Sequence, residues 1–166
     1  VSTIAALAAI AGEKPDSVEI ALKAQQAERE YAGVNCGIMD QYASACGKKD
    51  SVMLLDCHTL ECEYLPLQLG DYSLVITNCK KPHNLIESKY NERREETETA
   101  LKLLQQRLDI NCLADLTVAQ FKTFATLLPP VIRKRVEHVV TECERVRVAT
   151  LALKAGNMEM LGRLLN

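Results

Sequence analysis

The residues best suited to chemistry in this chain stand in one stretch, Gly33-Val34-Asn35-Cys36-Gly37-Ile38-Met39-Asp40-Gln41. Two glycines bracket a short turn, and a helix-like segment, Tyr42-Ala43-Ser44-Ala45-Cys46, follows before Gly47. Asp40 therefore falls at or just before a helix N-terminus, where unpaired backbone N–H groups and the helix dipole favour negative charge. A carboxylate beside such a turn can act as a general base. It can equally cap the helix, since Asp is a preferred N-cap residue, and the local pattern alone favours the cap. Upstream, Glu28 shares a helical stripe with Ala21, Ala24 and Tyr31, at steps of three and four. Among small residues and an aromatic, this carboxylate either borders a cleft or is bonded to a partner. The plainer reading is a half-exposed Glu pairing with a nearby Arg.

These residues depend on the elements around them. Residues 1–11 read as a buried helix closed by Gly12, with no clear start signal. Pro15-Asp16-Ser17 marks a turn and a helix start, and that helix runs to about Tyr31. After Gly47, Lys48-Lys49-Asp50 is a polar turn. Residues 52–57 read as a strand, His58-Thr59-Leu60 as a turn, and residues 61–66 as an alternating partner strand. Residues 72–78 read as a third, more apolar strand. Strands this closely spaced imply an antiparallel sheet packed by the earlier helices.

From Asn78 the character changes. Cys79-Lys80-Lys81-Pro82-His83-Asn84 is a polar, Pro-containing link, and a domain boundary is expected at residues 79–85. A long helix follows, with Ile86, Tyr90, Arg93, Thr97, Leu101 and Leu104 on one stripe and Glu87, Lys89, Glu92, Arg94, Glu95, Glu96 and Glu98 on its solvated faces. Leu116-Thr117 caps a short helix through Phe124. Pro129-Pro130 opens another, along which Ile132, Val136, Val139, Cys143, Val146, Thr150 and Leu153 keep a three-four rhythm up to Gly156. A helical bundle explains these amphipathic neighbours better than a coiled coil. His138, among valines and charges, reads as a surface histidine rather than a ligand.

Composition narrows the function. The 166 residues are 48% hydrophobic and 25% charged, with 20 basic and 22 acidic residues. That is a globular composition, and without a basic patch carrying aromatics nucleic acid is not the expected partner. Seven scattered cysteines form neither a CxxC pair nor a zinc-spaced cluster, so free thiols in a reducing cytoplasm are expected. No apolar run in the sequence is long enough to cross a membrane. Both ends fall inside helical patterns, which reads as a fragment of a longer protein.

Several motifs then match one family. Asn35-Cys36-Gly37-Ile38-Met39-Asp40-Gln41 resembles the segment around the catalytic aspartate of galactokinases, members of the GHMP small-molecule kinase superfamily. Gln26-Ala27-Glu28 precedes it, and Gly47-Lys48-Lys49 and Leu54-Leu55-Asp56-Cys57 follow it, as in that family. Ser88-Lys89-Tyr90-Asn91-Glu92-Arg93-Arg94 is similar to the family's Ser-x-Tyr-x-x-Arg-Arg element, and the segment from Arg135 through His138 to Glu142 is similar to a later helix. The resemblance runs nearly end to end. It implies that Asp40 is the catalytic base facing the C1 hydroxyl of galactose, that the backbone of Gly37 lines the sugar pocket, and that Tyr90 contacts the sugar. It implies that Glu28 is associated with the magnesium ion of ATP. For Tyr90 a place in the helix core remains an alternative.

The implied architecture is α+β: the second half of a GHMP-kinase N-terminal domain over residues 1–80, with antiparallel strands and helices, then the mainly helical start of a C-terminal domain over residues 81–166. The family's N-terminal sugar signature, its Gly-Leu-Ser-Ser-Ser phosphate loop and its C-terminal glycine-rich motif are absent from the sequence. No nucleotide-binding residue is therefore assigned, and the chain alone is expected not to turn over ATP. Lys80-Lys81-Pro82-His83 stands where many relatives carry an extra basic residue, so no transition-state cation is assigned there. Two alternatives stay open: a galactose- and ATP-binding sensor that regulates a protein partner, and an N-acetylgalactosamine kinase. Uncovered apolar faces and a sheet edge would favour a homodimer.

Overall fold

The computed structural model describes residues 1–80 and 90–165, and the fold is α+β. The chain divides into two compact units, Val1–Ser88 and Lys89–Asn166. Of the link expected at residues 79–85, residues 81–85 lie outside the described residues, as do Ile86, Glu87, Ser88 and Lys89.

In the first unit, helix α1 (Ser2–Ala11) ends at Gly12, and α2 (Ser17–Tyr31) begins where the sequence signals it. Asp16 is the N-cap, its carboxylate accepting the Val18 N–H at 3.0 Å. Such a bond satisfies one of the orphan donors of the first turn. Helix α3 (Met39–Cys46) packs on α2, and Ala21, Ile38 and Tyr42 form the buried centre between them. Strands β1 (Ser51–Leu55) and β2 (Cys62–Pro66) pair antiparallel from Ser51↔Pro66 to Leu55↔Cys62. Met53, Leu55, Leu60 and Cys62 pack against that centre, so the hairpin backs the two helices.

Local chemistry makes the hairpin. Asp56 Oδ1 accepts the backbone N–H groups of His58 at 2.8 Å and Thr59 at 3.0 Å, closing the turn. These N–H donors, that of Thr59 foremost, hold the Asp56 carboxyl below its ordinary value. The Tyr64 hydroxyl donates to the Cys46 carbonyl at 2.7 Å, tying β2 to the end of α3, and Lys48 Nζ lies 3.7 Å from the centre of the Tyr64 ring. At that helix end a Cβ on Gly47 would come within 2.8 Å of the Ala43 carbonyl oxygen, so only glycine fits without a shift.

Three expectations fail in this unit. Residues 72–78 form no strand; the segment is exposed, with Val75 and Ile76 at 84% and 97%. An apolar run becomes a strand only by pairing, and no described neighbour offers it a ladder. Helix α1 is not buried: Leu7 and Ile10 are 62% and 84% exposed. A helix apolar on all sides needs cover on all sides, and α2 is the element it packs against. Tyr31, at the last position of α2, is 89% exposed and does not join the stripe of Ala21, Ala24 and Glu28.

The second unit is helical. Helix α4 (Tyr90–Leu104), α5 (Val118–Phe124), α6 (Pro130–Lys154) and α7 (Met158–Leu165) are joined by short 3₁₀ turns at Leu113–Asp115 and Ala125–Leu127. α6 is the spine, packing against α4, α5 and α7. Its start is set by Pro129 at the N-cap and Pro130 inside it, where a missing N–H costs nothing. The core holds Ala100, Leu104, Ile110, Leu113, Leu116, Phe121, Leu128, Val136 and Val140. The bundle reading stands, and the expected stripes hold in part: Leu104, Val136 and Leu153 are buried, and Leu101, Ile132 and Val139 pack against the core. Ala100 and Leu104 lead the buried row of α4, while Tyr90 is 44% exposed and Arg93 is exposed. On α6, Val140 is buried and Val146 is half exposed. Glu96, read as solvated, is half-buried and accepts from Arg135 Nε across the α4–α6 contact.

Helix α5 carries a full capping box. Thr117 Oγ1 accepts the Gln120 N–H at 3.1 Å, and Gln120 Oε1 accepts the Thr117 N–H at 3.0 Å. Thr117→Ala is expected to cost about 1 kcal/mol, within the usual range for a lost cap. Urea unfolding followed by helical circular dichroism checks this, as a lower midpoint with an unchanged slope.

Candidate active site

The turn between α2 and α3 is set by Gly33, whose φ of 69° suits glycine, and by three donors converging on one carbonyl. The Cys36 carbonyl accepts from Arg29 Nε at 3.0 Å, from the same guanidinium's Nη2 at 2.7 Å, and from Gln25 Nε2 at 3.2 Å. The last two turns of α2 thus grip the residue before Gly37. A planar guanidinium presenting two N–H groups holds an oxygen in a defined direction.

Asp40 is not the N-cap of α3. Ile38 occupies that position without a side-chain bond, and Asp40 lies one residue inside the first turn. The cap reading favoured by the local pattern is corrected: the helix starts one residue before Asp40, because Tyr42 N–H bonds to the Ile38 carbonyl at 2.9 Å and Ile38 packs into the core. Asp40 is exposed, while the next two residues, Gln41 and Tyr42, are 8% and 4% exposed. Successive residues of a helix point about 100° apart, so the buried side of α3 turns the Asp40 carboxylate outward.

Glu28 is half-buried, and its Oε2 accepts from Gln41 Nε2 at 2.5 Å. The partner is therefore a glutamine from α3 rather than the arginine of the plainer reading. Gln41 Nε2 also lies 3.7 Å from the Cys36 thiol, and Gln41 Oε1 is buried with no hydrogen-bond partner. Gly37 is exposed in the turn between Cys36 and Ile38. The structure thus brings Glu28, Gly37 and Asp40 to one turn of the first unit. Tyr90 opens α4 in the second unit.

The fit of a divalent cation can be read from the donors. Among the described residues no group of three or more His, Cys, Asp or Glu side chains comes together. Glu28 offers one carboxylate, held by Gln41 Nε2. An oxygen-only set with a single carboxylate suits magnesium, which keeps waters and takes phosphate oxygens for its remaining positions. The seven cysteines are all unpaired in disulfides, and burial pushes the Cys46, Cys112 and Cys143 thiols up, away from reactive thiolates.

Residues 1–48 match the GHMP kinases N terminal domain. A galactokinase from Lactobacillus helveticus is 47% identical over 152 residues, which is 91% of this chain and 39% of that protein. One from Clostridium tetani is 46% identical over 153 residues, 92% of this chain and 39% of that protein. A crystal structure of Lactococcus lactis galactokinase complexed with galactose matches with a TM-score of 0.91 at 41% identity, over 97% of this chain and 42% of that one. The chain is thus similar to galactokinases over more than nine tenths of its length. It spans about two fifths of the length of these curated galactokinases. Among the described residues no helix is long and apolar enough to cross a membrane.

Reading the galactokinase motif by sequence passes over three residues at this turn. Arg29 and Gln25 lie outside the stripe of Ala21, Ala24 and Glu28, yet both reach the Cys36 carbonyl. Gln41 is visible as the residue after Asp40, but nothing in its spacing reveals that it closes on Glu28. Its one signal is the apolar setting of α3, in which a polar residue directly before a buried tyrosine must find a partner.

Proposed function

We propose that this chain supplies the acceptor-facing part of the active site in a kinase that transfers the γ-phosphoryl group of ATP to O1 of α-D-galactose. The observation that carries it is Asp40 turned outward from the first turn of α3, beside Gly37 and with Glu28 held next door, in a fold shared with a galactokinase solved with galactose. Asp40 is the base: its carboxylate orients the sugar hydroxyl and takes its proton as the new O–P bond forms. The backbone of Gly37 borders the sugar, and Tyr90 contacts it. Glu28 would hold the magnesium ion of the nucleotide. When bound, that ion neutralises charge on the phosphates. The grip of Arg29 on the Cys36 carbonyl keeps the turn in place, so the sugar meets a preformed surface. The free thiols suit a reducing cytoplasm.

The test is galactose-dependent ADP formation by the full polypeptide encoded by the reading frame that carries this sequence. Galactose and ATP binding without ADP formation would identify a sensor instead, and a preference for N-acetylgalactosamine a sibling kinase. The 166-residue chain alone is expected to show no turnover in a coupled ADP assay, since its sequence carries no phosphate loop. Galactose-dependent turnover by that chain would overturn this expectation.

A further inference from the structure

We propose that Gln41 is a positioning residue for phosphoryl transfer: it locks the Glu28 carboxylate to the helix that carries Asp40. The inference rests on the kinase reading above. Gln41 Nε2 donates to Glu28 Oε2 at 2.5 Å, and the two residues come from different helices, α3 and α2. Gln41 follows Asp40 directly, so one turn of α3 presents the base to solvent and grips the metal-side carboxylate from within.

Packing alone does not account for a glutamine here. The side chain is 8% exposed and its Oε1 has no partner, which is a costly state for a buried amide. Leucine or methionine would fill a similar volume without an unmet acceptor. The orientation of the amide follows from charge: turned over, its oxygen would face the Glu28 carboxylate, acceptor against acceptor. Donation to one carboxylate oxygen fixes the plane of the group. A partner that holds a metal-binding side chain in this way sets affinity without touching the metal.

The experiment uses the full polypeptide with Gln41→Met, which keeps the volume and loses the donor, and Gln41→Glu, which sets two carboxylates face to face. In Gln41→Met the magnesium concentration for half-maximal ADP formation is expected to rise about 10–100-fold, the usual effect of losing such a partner. The KM for galactose stays within about twofold, because no sugar contact changes. Binding of Mn²⁺ with a non-hydrolysable ATP analogue, read by electron paramagnetic resonance, weakens by the same factor. Gln41→Glu melts lower than the parent in chelator and is raised by Mg²⁺ more than the parent is, because a cation relieves the repulsion. Mn²⁺–nucleotide binding unchanged in Gln41→Met, or no added Mg²⁺ response in Gln41→Glu, overturns the positioning role. Should Gln41→Met fail to fold, the melting curves of Gln41→Glu decide. A parent protein that binds Mn²⁺ and nucleotide but makes no galactose-dependent ADP overturns the kinase reading alone.

Discussion

Asp40→Asn in the full polypeptide is expected to lower kcat by roughly 10²–10⁴-fold, the range for loss of a positioned acid-base group. Asparagine keeps the size of the side chain and can still accept a hydrogen bond, so it isolates proton transfer from shape. Stability changes little, because Asp40 is exposed and outside the buried centre of Ala21, Ile38 and Tyr42. The loss of a negative charge in the first turn of α3 costs at most about 0.3–1 kcal/mol at an exposed site. A coupled ADP assay at saturating galactose, with a thermal melt beside it, checks both halves. A loss smaller than tenfold would assign the proton to another group. A large drop in melting temperature would return Asp40 to a helix-stabilising role.

The second large effect lies in the helical unit. Leu104→Ala is expected to destabilise that unit by about 2–5 kcal/mol, the cost of lost burial plus the cavity left behind. Leu104 is 2% exposed and stands in one core with Ala100, Phe121 and Val136. A loss of this size is a large share of the ~5–15 kcal/mol that holds a domain folded. Its neighbour Leu103 is 37% exposed, and Leu103→Ala is expected to stay within about 0.5–1 kcal/mol. Urea unfolding of the two variants side by side separates core packing from helix propensity, since both substitutions are leucine to alanine at consecutive positions of α4. Equal shifts would show that the core does not depend on this row.

The two helical faces show why such rows were only partly legible. A three-four rhythm marks a stripe, and on α6 it correctly picks Val136 and Leu153 as buried. It cannot choose between adjacent rows, because neighbouring stripes on a helix differ by a fraction of a turn. The choice belongs to the partner: α4 and α5 cover Val140 and leave Val146 half exposed. On α4 the contact with α6 draws in Glu96, whose charge is met by Arg135, and leaves Tyr90 at the edge. The apolar residues 72–78 show the same limit in a strand, whose hydrogen bonds all lie in another segment.

Ends of elements were legible because their chemistry is local. Asp16 caps α2, Thr117 and Gln120 box the start of α5, Pro129 and Pro130 open α6, and Asp56 closes the hairpin, each through groups within three residues. The presence of Asp40 near a helix start, after a glycine turn and downstream of a carboxylate-bearing helix, was determined by sequence for the same reason. What only the tertiary structure decided is how those groups face. Packing of α3 on α2 buries Gln41 and Tyr42, and the helical twist then turns Asp40 outward. The same packing closes Gln41 on Glu28 and Arg29 on Cys36. A hydrogen bond between two helices depends on their separation and rotation, which no local pattern of residues encodes.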